Sequence, residues 1–283
     1  MAPSTRSAYQ RAWHQFILFA RTLSFLPSIP ISSYHASLFV THLLQKNPHT
    51  SSIPPILSGI AYFHKIRGHP DPFQTFLIKQ LLQGGHRIAT PSSDKRRPIS
   101  EDLLLSLIDA MSSLNLSSYD FSLFSTMFLF AFYFGLRISE FTSSCHNLSF
   151  SDVTVSSDSI TIIFRSFKHS SRPSLPHILK PTNLRFCPCK AALTYIRKRP
   201  SLQGPFFISA GKPVSPRKFS YMLKRLLPLC NKEQHFYSPH SFRIGAATHW
   251  FKKGLSEERI RFLGRWSSNA FLSYIRSEID HSI

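Results

Sequence analysis

The chain has 283 residues, enough for two domains, and sets 34 Lys and Arg against 14 Asp and Glu for a formal net charge of +20. The charge is no tail: residues 1–95 carry 9 basic and 2 acidic residues, net +7, and residues 96–283 carry 25 and 12, net +13. Both halves are therefore expected to offer a positive surface to a polyanion. The pattern argues against membrane and secreted classes: no run of 18 apolar residues occurs, and Arg6 and Arg11 break up any signal-peptide core. The four cysteines (Cys145, Cys187, Cys189, Cys230) are few and irregularly spaced, as in a reducing compartment.

Helical spacing of Ala12, Trp13, Phe16, Ile17, Ala20 and Leu23 predicts a first helix capped by Ser4 and Thr5 and ended by Pro27 and Pro30. A second helix is expected after Ser33, with Leu38, Phe39, Leu43 and Leu44 on its apolar side. A third covers 53–67, with Pro54-Pro55 tolerated in its first turn, and a fourth covers 72–83. Gly84 to Pro98 (GGHRIATPSSDKRRP) reads as a linker. Its basic cluster Lys95-Arg96-Arg97 suits a nuclear-localisation signal or a phosphate contact. The chain is thus divided into a helical domain at 1–83, a linker at 84–98 and a second domain at 99–283.

In the second domain Ser100 caps a helix with Glu101 and Asp102 in its first turn, where the dipole favours acids. The stretch from Tyr119 to Phe134 is apolar on every side, so it is expected to be the buried centre. Gly135 allows a turn, and Leu136-Arg137-Ile138-Ser139-Glu140 opens a short helix. β-Branched runs at Asp152–Val155 and Ser159–Arg165, separated by Ser-Ser-Asp, predict a hairpin, with a third strand at 175–179. Lys168 falls in the turn after the second strand. Helices over 188–199 and 215–229 carry Arg197, Lys198, Arg199, Arg217, Lys218, Lys224 and Arg225 as candidate phosphate contacts, though each taken singly reads as a solvated side chain. Cys187 and Cys189 flank Pro188 at a helix start, and a metal site there lacks a second pair of ligands. The fold class is mainly α with a small antiparallel β-sheet: an N-terminal helical domain and a C-terminal mixed α/β domain.

The stretch SPHSFRIGAATHWFKKGLSEERIRFLGRWSSNAFLSYIR, Ser238 to Arg276, concentrates the chemistry. Ser238 as N-cap and Pro239 as first helical residue would place His240 and Arg243 in the opening turns, on one face, beside free N–H groups that favour an anion. A second helix is expected from Ser256 to Leu263, a turn at Gly264-Arg265-Trp266, and a short helix from about Ser268 that carries Tyr274. Taken singly, Tyr274 beside Phe271, Leu272, Ile275 and Ile279 reads as a half-buried core aromatic, His240 as a helix-end histidine and Trp266 as a packing residue.

Together, HSFRIGAATHW followed by LGRWSSNAFLSYIR resembles the second signature box of the tyrosine recombinases, the phage-integrase class, and GLRISE resembles the first. The form GRWSSNAFLSYIR is most similar to that of recombinases from eukaryotic mobile elements, the DIRS-type retrotransposons and Cryptons. TRSAYQRAWHQFILFA and SGIAYFHKIRGHPDP resemble the core-binding domain with which these enzymes clamp a duplex, so the resemblance covers nearly the whole chain. It implies a catalytic set of Arg137, Lys168, His240, Arg243, Trp266 and Tyr274, with Glu140 as the acidic residue that braces the site. The hairpin lysine is Lys168 by position, with Lys180 as competitor because the sequence does not fix the register. The resemblance also implies double-stranded DNA as partner, a homo-oligomer on it, and a nuclear location. Trp266 and Tyr274 are eight residues apart, one fewer than in many bacterial members. The nine residues after Tyr274 are short for the segment that members pass to a neighbour in a tetramer.

These residue types suit strand exchange, which must hold a phosphodiester in a covalent bond until another strand attacks. Tyr274 would be the nucleophile; its phenol, with a reference pKa of about 10, needs help to ionise. Arg137 and Arg243 would hold non-bridging oxygens in fork geometry, His240 would move protons near neutrality, and Trp266 would donate its indole N–H. Lys168, by the resemblance, would protonate the departing 5′ oxygen, leaving a 3′-phosphotyrosine. The scheme requires no cofactor, metal or small-molecule ligand. Two other functions share parts of this set: a type IB topoisomerase-like nicking and resealing enzyme, and a domesticated DNA-binding protein that no longer cuts. The helical clamp and GRWSSNAFLSYIR argue against the first, and the intact set against the second.

Overall fold

The computed structural model describes residues 1, 3–47, 50–89, 94–143, 147–167, 172–183 and 185–276. Two units cluster separately, Met1–Asp94 and Lys95–Ile283. The first is helical: α1 (Pro3–Thr22), α2 (Ser33–Lys46), α3 (Ile53–Lys65) and α4 (Phe76–Ile88). α1 packs along α3, and α2 against α4. Gly59 permits the α1–α3 approach, since a Cβ there would stand 3.0 Å from Ala12 Cβ. Phe16 and Phe19 of α1 each meet Phe39 of α2 at 5.2 Å between ring centroids, which makes the centre of this core aromatic.

Three boundaries differ from the sequence expectation. α1 begins at Pro3, so Ser4 and Thr5 lie in its first turn instead of capping it; proline has no N–H to lose there. α4 begins after Thr75, whose Oγ1 accepts the Ile78 N–H (3.4 Å), because the Asp71 carboxylate holds the Phe73 N–H (3.0 Å) in a turn. It then runs through Gly84-Gly85 to Ile88, across the first five residues of the expected linker. Gly85 lies against Leu44, where a Cβ would come within 2.3 Å of Cδ2, so packing outweighs the low helix propensity of glycine.

The second unit is built on α5 (Glu101–Ala110), α6 (Ser118–Tyr133) and α7 (Ile138–Phe141), then β1 (Val153–Val155), β2 (Ile160–Ile162) and β3 (His177–Leu179). α8 (Pro188–Lys198), β4 (Ile208–Ser209), β5 (Lys212–Pro213), α9 (Pro216–Leu226), α10 (His240–Lys252) and α11 (Glu257–Gly264) follow, and a 3₁₀ turn over Asn269–Tyr274 ends the order. Every residue of α6 from Ser122 to Tyr133 is buried, as its all-round apolar sequence predicts. Phe128 meets Phe219 of α9 and Phe242 of α10 edge-on at 5.3 and 5.0 Å. The strands form the antiparallel order β1-β2-β3, with Val155 opposite Ile160 and Ile160 opposite Leu179. The expected class, mainly helical with a small antiparallel sheet, is the one observed.

The β4–β5 hairpin was not expected: four strand residues show no alternation, and only its two-residue turn, Ala210-Gly211 with φ of 49° and 71°, is a local signal. Arg199 is no solvated side chain. It is buried, and its guanidinium donates to the carbonyls of Gln203 (2.8 Å), Pro205 (2.6 Å) and Phe206 (3.2 Å), closing the loop after α8. Cys187 caps α8 ahead of Pro188. Among the described residues no helix is long and apolar enough to cross a membrane.

α10 begins at His240, and Ser238 does not cap it; the Ser241 N–H bonds the Ser238 carbonyl (2.8 Å) and the Ser238 N–H bonds Ser241 Oγ (3.1 Å). Pro239 already has helical dihedrals, so backbone closes this turn without a side-chain cap. The helix lies against Ile99, whose N–H bonds the Ser241 carbonyl (3.0 Å). A Cβ on Gly245 would stand 1.9 Å from the Ile99 carbonyl oxygen. In an open helix Gly→Ala gains about 1 kcal/mol. Here the main-chain clash decides the sign, and Gly245→Ala is expected to cost about 3 kcal/mol or more, seen as a lower thermal midpoint. A variant as stable as wild type would contradict this packing.

Candidate active site

The turn from α6 into α7 is made at Gly135, whose φ is +53° and whose missing Cβ leaves room for Trp250, 2.7 Å from that position. It sets Arg137 at the N-cap of α7 and Glu140 one turn in. The Glu140 carboxylate accepts the Arg137 backbone N–H (2.8 Å) and its guanidinium (3.0 Å). From the other side it accepts Arg265, by Nη2 at 2.8 Å and Nε at 3.4 Å. Arg265 is buried in a left-handed conformation (φ 54°) that ends α11, and it also donates to the carbonyls of Phe134, Gly135 and Leu263. Its own carbonyl accepts Arg137 Nη2 at 3.4 Å. One buried carboxylate thus joins the segment holding Arg137 to the segment holding Trp266 and Tyr274.

Arg243, on α10, is 1% exposed. Its guanidinium donates to the carbonyls of Gly135 (2.5 Å) and Gly264, and the Trp266 ring lies over it, 4.1 Å from Cζ to the ring centroid. Gly264 leaves space for that ring, since a Cβ there would overlap it at 1.6 Å. The Tyr274 ring packs on Trp266 at 5.6 Å and on His240 at 5.0 Å between centroids. Around these groups opens a cavity of about 410 Å³, lined among others by Arg137, Ser139, His240, Trp266, Ser268 and Tyr274.

Burial alone would raise the Glu140 pKa, but Arg265, Arg243 and Arg137 outweigh it and hold the carboxyl below its ordinary value. Burial pushes the Arg243 and Arg265 guanidiniums down, and for Arg265 the Glu140 charge opposes the push. Both remain charged at any ordinary pH. Three guanidiniums around one carboxylate leave an excess of positive charge, which an anion in the cavity would balance.

The structure therefore gathers Arg137, Glu140, His240, Arg243, Trp266 and Tyr274. It differs from the expectation for Arg243, which sits behind Trp266 with two donors already engaged, while Arg137 faces the cavity. Lys168 lies outside the described residues. Lys180 is exposed, one residue past the end of β3, and is not among the residues lining the cavity. Among the described residues no cluster of His, Cys, Asp and Glu could hold a metal ion.

Two residues escaped the sequence reading. Arg265 reads there as a turn residue in a chain rich in arginine. The one available signal is spacing, because Arg265, and not Trp266, stands nine residues before Tyr274, the interval that the resemblance implies for many bacterial members. The other is His177 of β3, buried and stacked on Phe262 of α11 (4.6 Å, 6°) and edge-on to Phe164 (5.1 Å). Burial first, then the Arg265 charge, bring its pKa from 6.5 down to about 3. His177 thus stays neutral in the folded chain while the unfolded chain takes up a proton below pH 6.5, so its contribution to stability is lost as pH falls from 6.5 towards 3. The expected loss is about 2 kcal/mol at pH 5. His177→Phe should flatten the urea-denaturation stability between pH 6.5 and 5; an unchanged slope would contradict a neutral, buried His177.

The sequence profile of the Phage integrase family matches residues 98–278, well over half of the chain. No curated protein gives a significant sequence match. Among solved structures, the fold is similar to that of the XerH site-specific recombinase in a post-cleavage complex on a palindromic difH substrate (TM-score 0.69, 12% identity, 95% of this chain and 75% of that one). It is also similar to the Tn1549 transposon integrase in complex with transposon right end DNA (0.64, 15%, 98% and 90%) and to a lambda integrase dimer bound to a COC′ core site (0.64, 14%, 98% and 72%). At such identities these likenesses speak for the fold, and the profile match speaks for descent: the chain belongs to the Phage integrase family, the tyrosine recombinases, and is an enzyme that breaks and rejoins DNA strands.

Proposed function

We propose that this chain is a site-specific recombinase acting on double-stranded DNA through a 3′-phosphotyrosine, and that it integrates or excises a mobile element of the DIRS or Crypton kind. The observation that carries the chemistry is the meeting of Tyr274 with His240 and Trp266 on a cavity that Arg137 also lines. Tyr274 Oη attacks the phosphorus while Arg137 holds a non-bridging oxygen and His240 moves the phenolic proton. Arg243 and Arg265 add buried positive charge behind the site, and Trp266 lies between Arg243 and the phosphate. Direct contact by Arg243 requires Trp266 to shift. Lys168 protonates the departing 5′ oxygen, a role that rests on the family resemblance alone.

The helical unit, Met1–Asp94, carries 8 basic and 2 acidic residues, net +6, and is proposed to contact the duplex as well. The mobile-element assignment rests on GRWSSNAFLSYIR, and with it come a nuclear site of action and assembly of several copies on DNA. The test exposes purified protein to a randomised library of nicked duplexes, in which the short end is lost and religation blocked. DNA bound after detergent denaturation is then sequenced. Adducts at one recurring sequence are expected; adducts without sequence preference would replace this reading with a topoisomerase-like one.

A further inference from the structure

We infer that Thr248 is a positioning residue for the nucleophile: its hydroxyl ties the backbone leaving Tyr274, at the Tyr274 carbonyl and the Arg276 N–H, to the helix that carries His240. The inference rests on the reading of Tyr274 as nucleophile. The 3₁₀ turn over Asn269–Tyr274 packs on α10 and α11 mainly through Phe271, whose ring lies 6.1 Å from that of Trp266. Phe271 is its one buried residue, while Asn269, Ala270, Leu272 and Ser273 are exposed. Thr248 lies in the third turn of α10 and is buried. Its Oγ1 accepts the backbone N–H of Arg276 (3.1 Å), and its O–H lies between the carbonyls of Ile244 (2.9 Å) and Tyr274 (3.2 Å).

His240 and Thr248 are eight residues apart on one helix, just over two turns, or about 12 Å. α10 therefore grips Tyr274 at both ends, the ring at His240 and the main chain at Thr248. Loss of the backbone grip leaves the ring contacts with His240 and Trp266, which by themselves do not fix where the hydroxyl points. A displacement of about 1 Å at a reacting atom can cost about a hundredfold in rate. A threonine within a helix usually returns its hydroxyl to the carbonyl four residues back and stops there. Here the same oxygen also receives an N–H from a segment 28 residues away.

Thr248→Val keeps the shape and β-branching of the side chain and removes the hydroxyl. The variant is expected to lose about 10- to 100-fold in the rate of adduct formation at saturating nicked duplex, with the DNA dissociation constant unchanged. Thr248→Ser, which restores the hydroxyl, should recover the rate to within about threefold. A second readout needs no cleavage: hydrogen exchange of the Arg276 amide should speed up about tenfold in Thr248→Val and not in Thr248→Ser. Wild-type cleavage in Thr248→Val, an equal loss in Thr248→Ser, or unchanged Arg276 exchange would each overturn the inference. If wild-type protein makes no adduct at all, the nucleophile reading fails, and the exchange measurement still decides whether Thr248 holds this segment.

Discussion

Glu140→Gln is expected to lower the stability of the C-terminal unit by about 3–5 kcal/mol, the usual cost of leaving a buried charge without its partner. The carboxylate is 1% exposed and receives hydrogen bonds from Arg137 and Arg265, whose side chain is 2% exposed. With a neutral amide in its place, those two guanidiniums and Arg243 would stand together with no opposing charge. A urea titration at pH 7 measures the loss, and a change below about 1 kcal/mol would show that water reaches these arginines. The double change Glu140→Leu with Arg265→Met should be less damaging than Glu140→Leu alone, since it removes both members of the pair. Because the arginines hold the Glu140 pKa below its ordinary 4.5, its stabilisation is complete above pH 4.5 and is lost as pH falls through the depressed value. Wild type should therefore lose stability on that acid limb, and Glu140→Gln should show less of this loss.

Tyr274→Phe is expected to cut adduct formation by about 10⁴ or more, because among the described residues Tyr274 is the one phenol lining the cavity, and the serine hydroxyls there (Ser139, Ser267, Ser268) are far weaker acids. The change removes one oxygen and keeps the ring that packs on His240 at 5.0 Å and on Trp266 at 5.6 Å. Stability should therefore stay within about 0.5 kcal/mol of wild type, and DNA affinity within about twofold. Gel-shift titration and detergent-resistant adducts on a nicked duplex measure the two quantities side by side. A parallel loss of binding and cleavage would mean that Tyr274 is a core aromatic and nothing more.

The parts of this fold that could be read in advance are those written in local pattern. α6 is apolar on all sides and lies at the centre, and Ser100 and Ser256 accept the N–H groups that a cap should. The meeting of Arg137 with His240, Trp266 and Tyr274 was legible only through the resemblance, since periodicity makes each of them ordinary. What escaped depends on contacts between distant segments. Arg265 acquires its role from Glu140, 125 residues away, and His177 from the ring of Phe262. Gly84-Gly85 reads as a breaker until Leu44 is seen against it. The burial of Arg243 follows from a tryptophan laid over its guanidinium, a choice of side-chain direction that sequence spacing does not encode.

The most direct test of the account is the identity of the residue that takes the phosphate. Wild-type protein would be trapped on a nicked duplex bearing its recurring site, the DNA trimmed by nuclease, and the remaining adduct located by tandem mass spectrometry of the peptides. The account predicts one modified residue, Tyr274, joined to a 3′ phosphate with a free 5′ hydroxyl on the released strand. A phosphate on any other side chain, or a 5′ linkage, would contradict it.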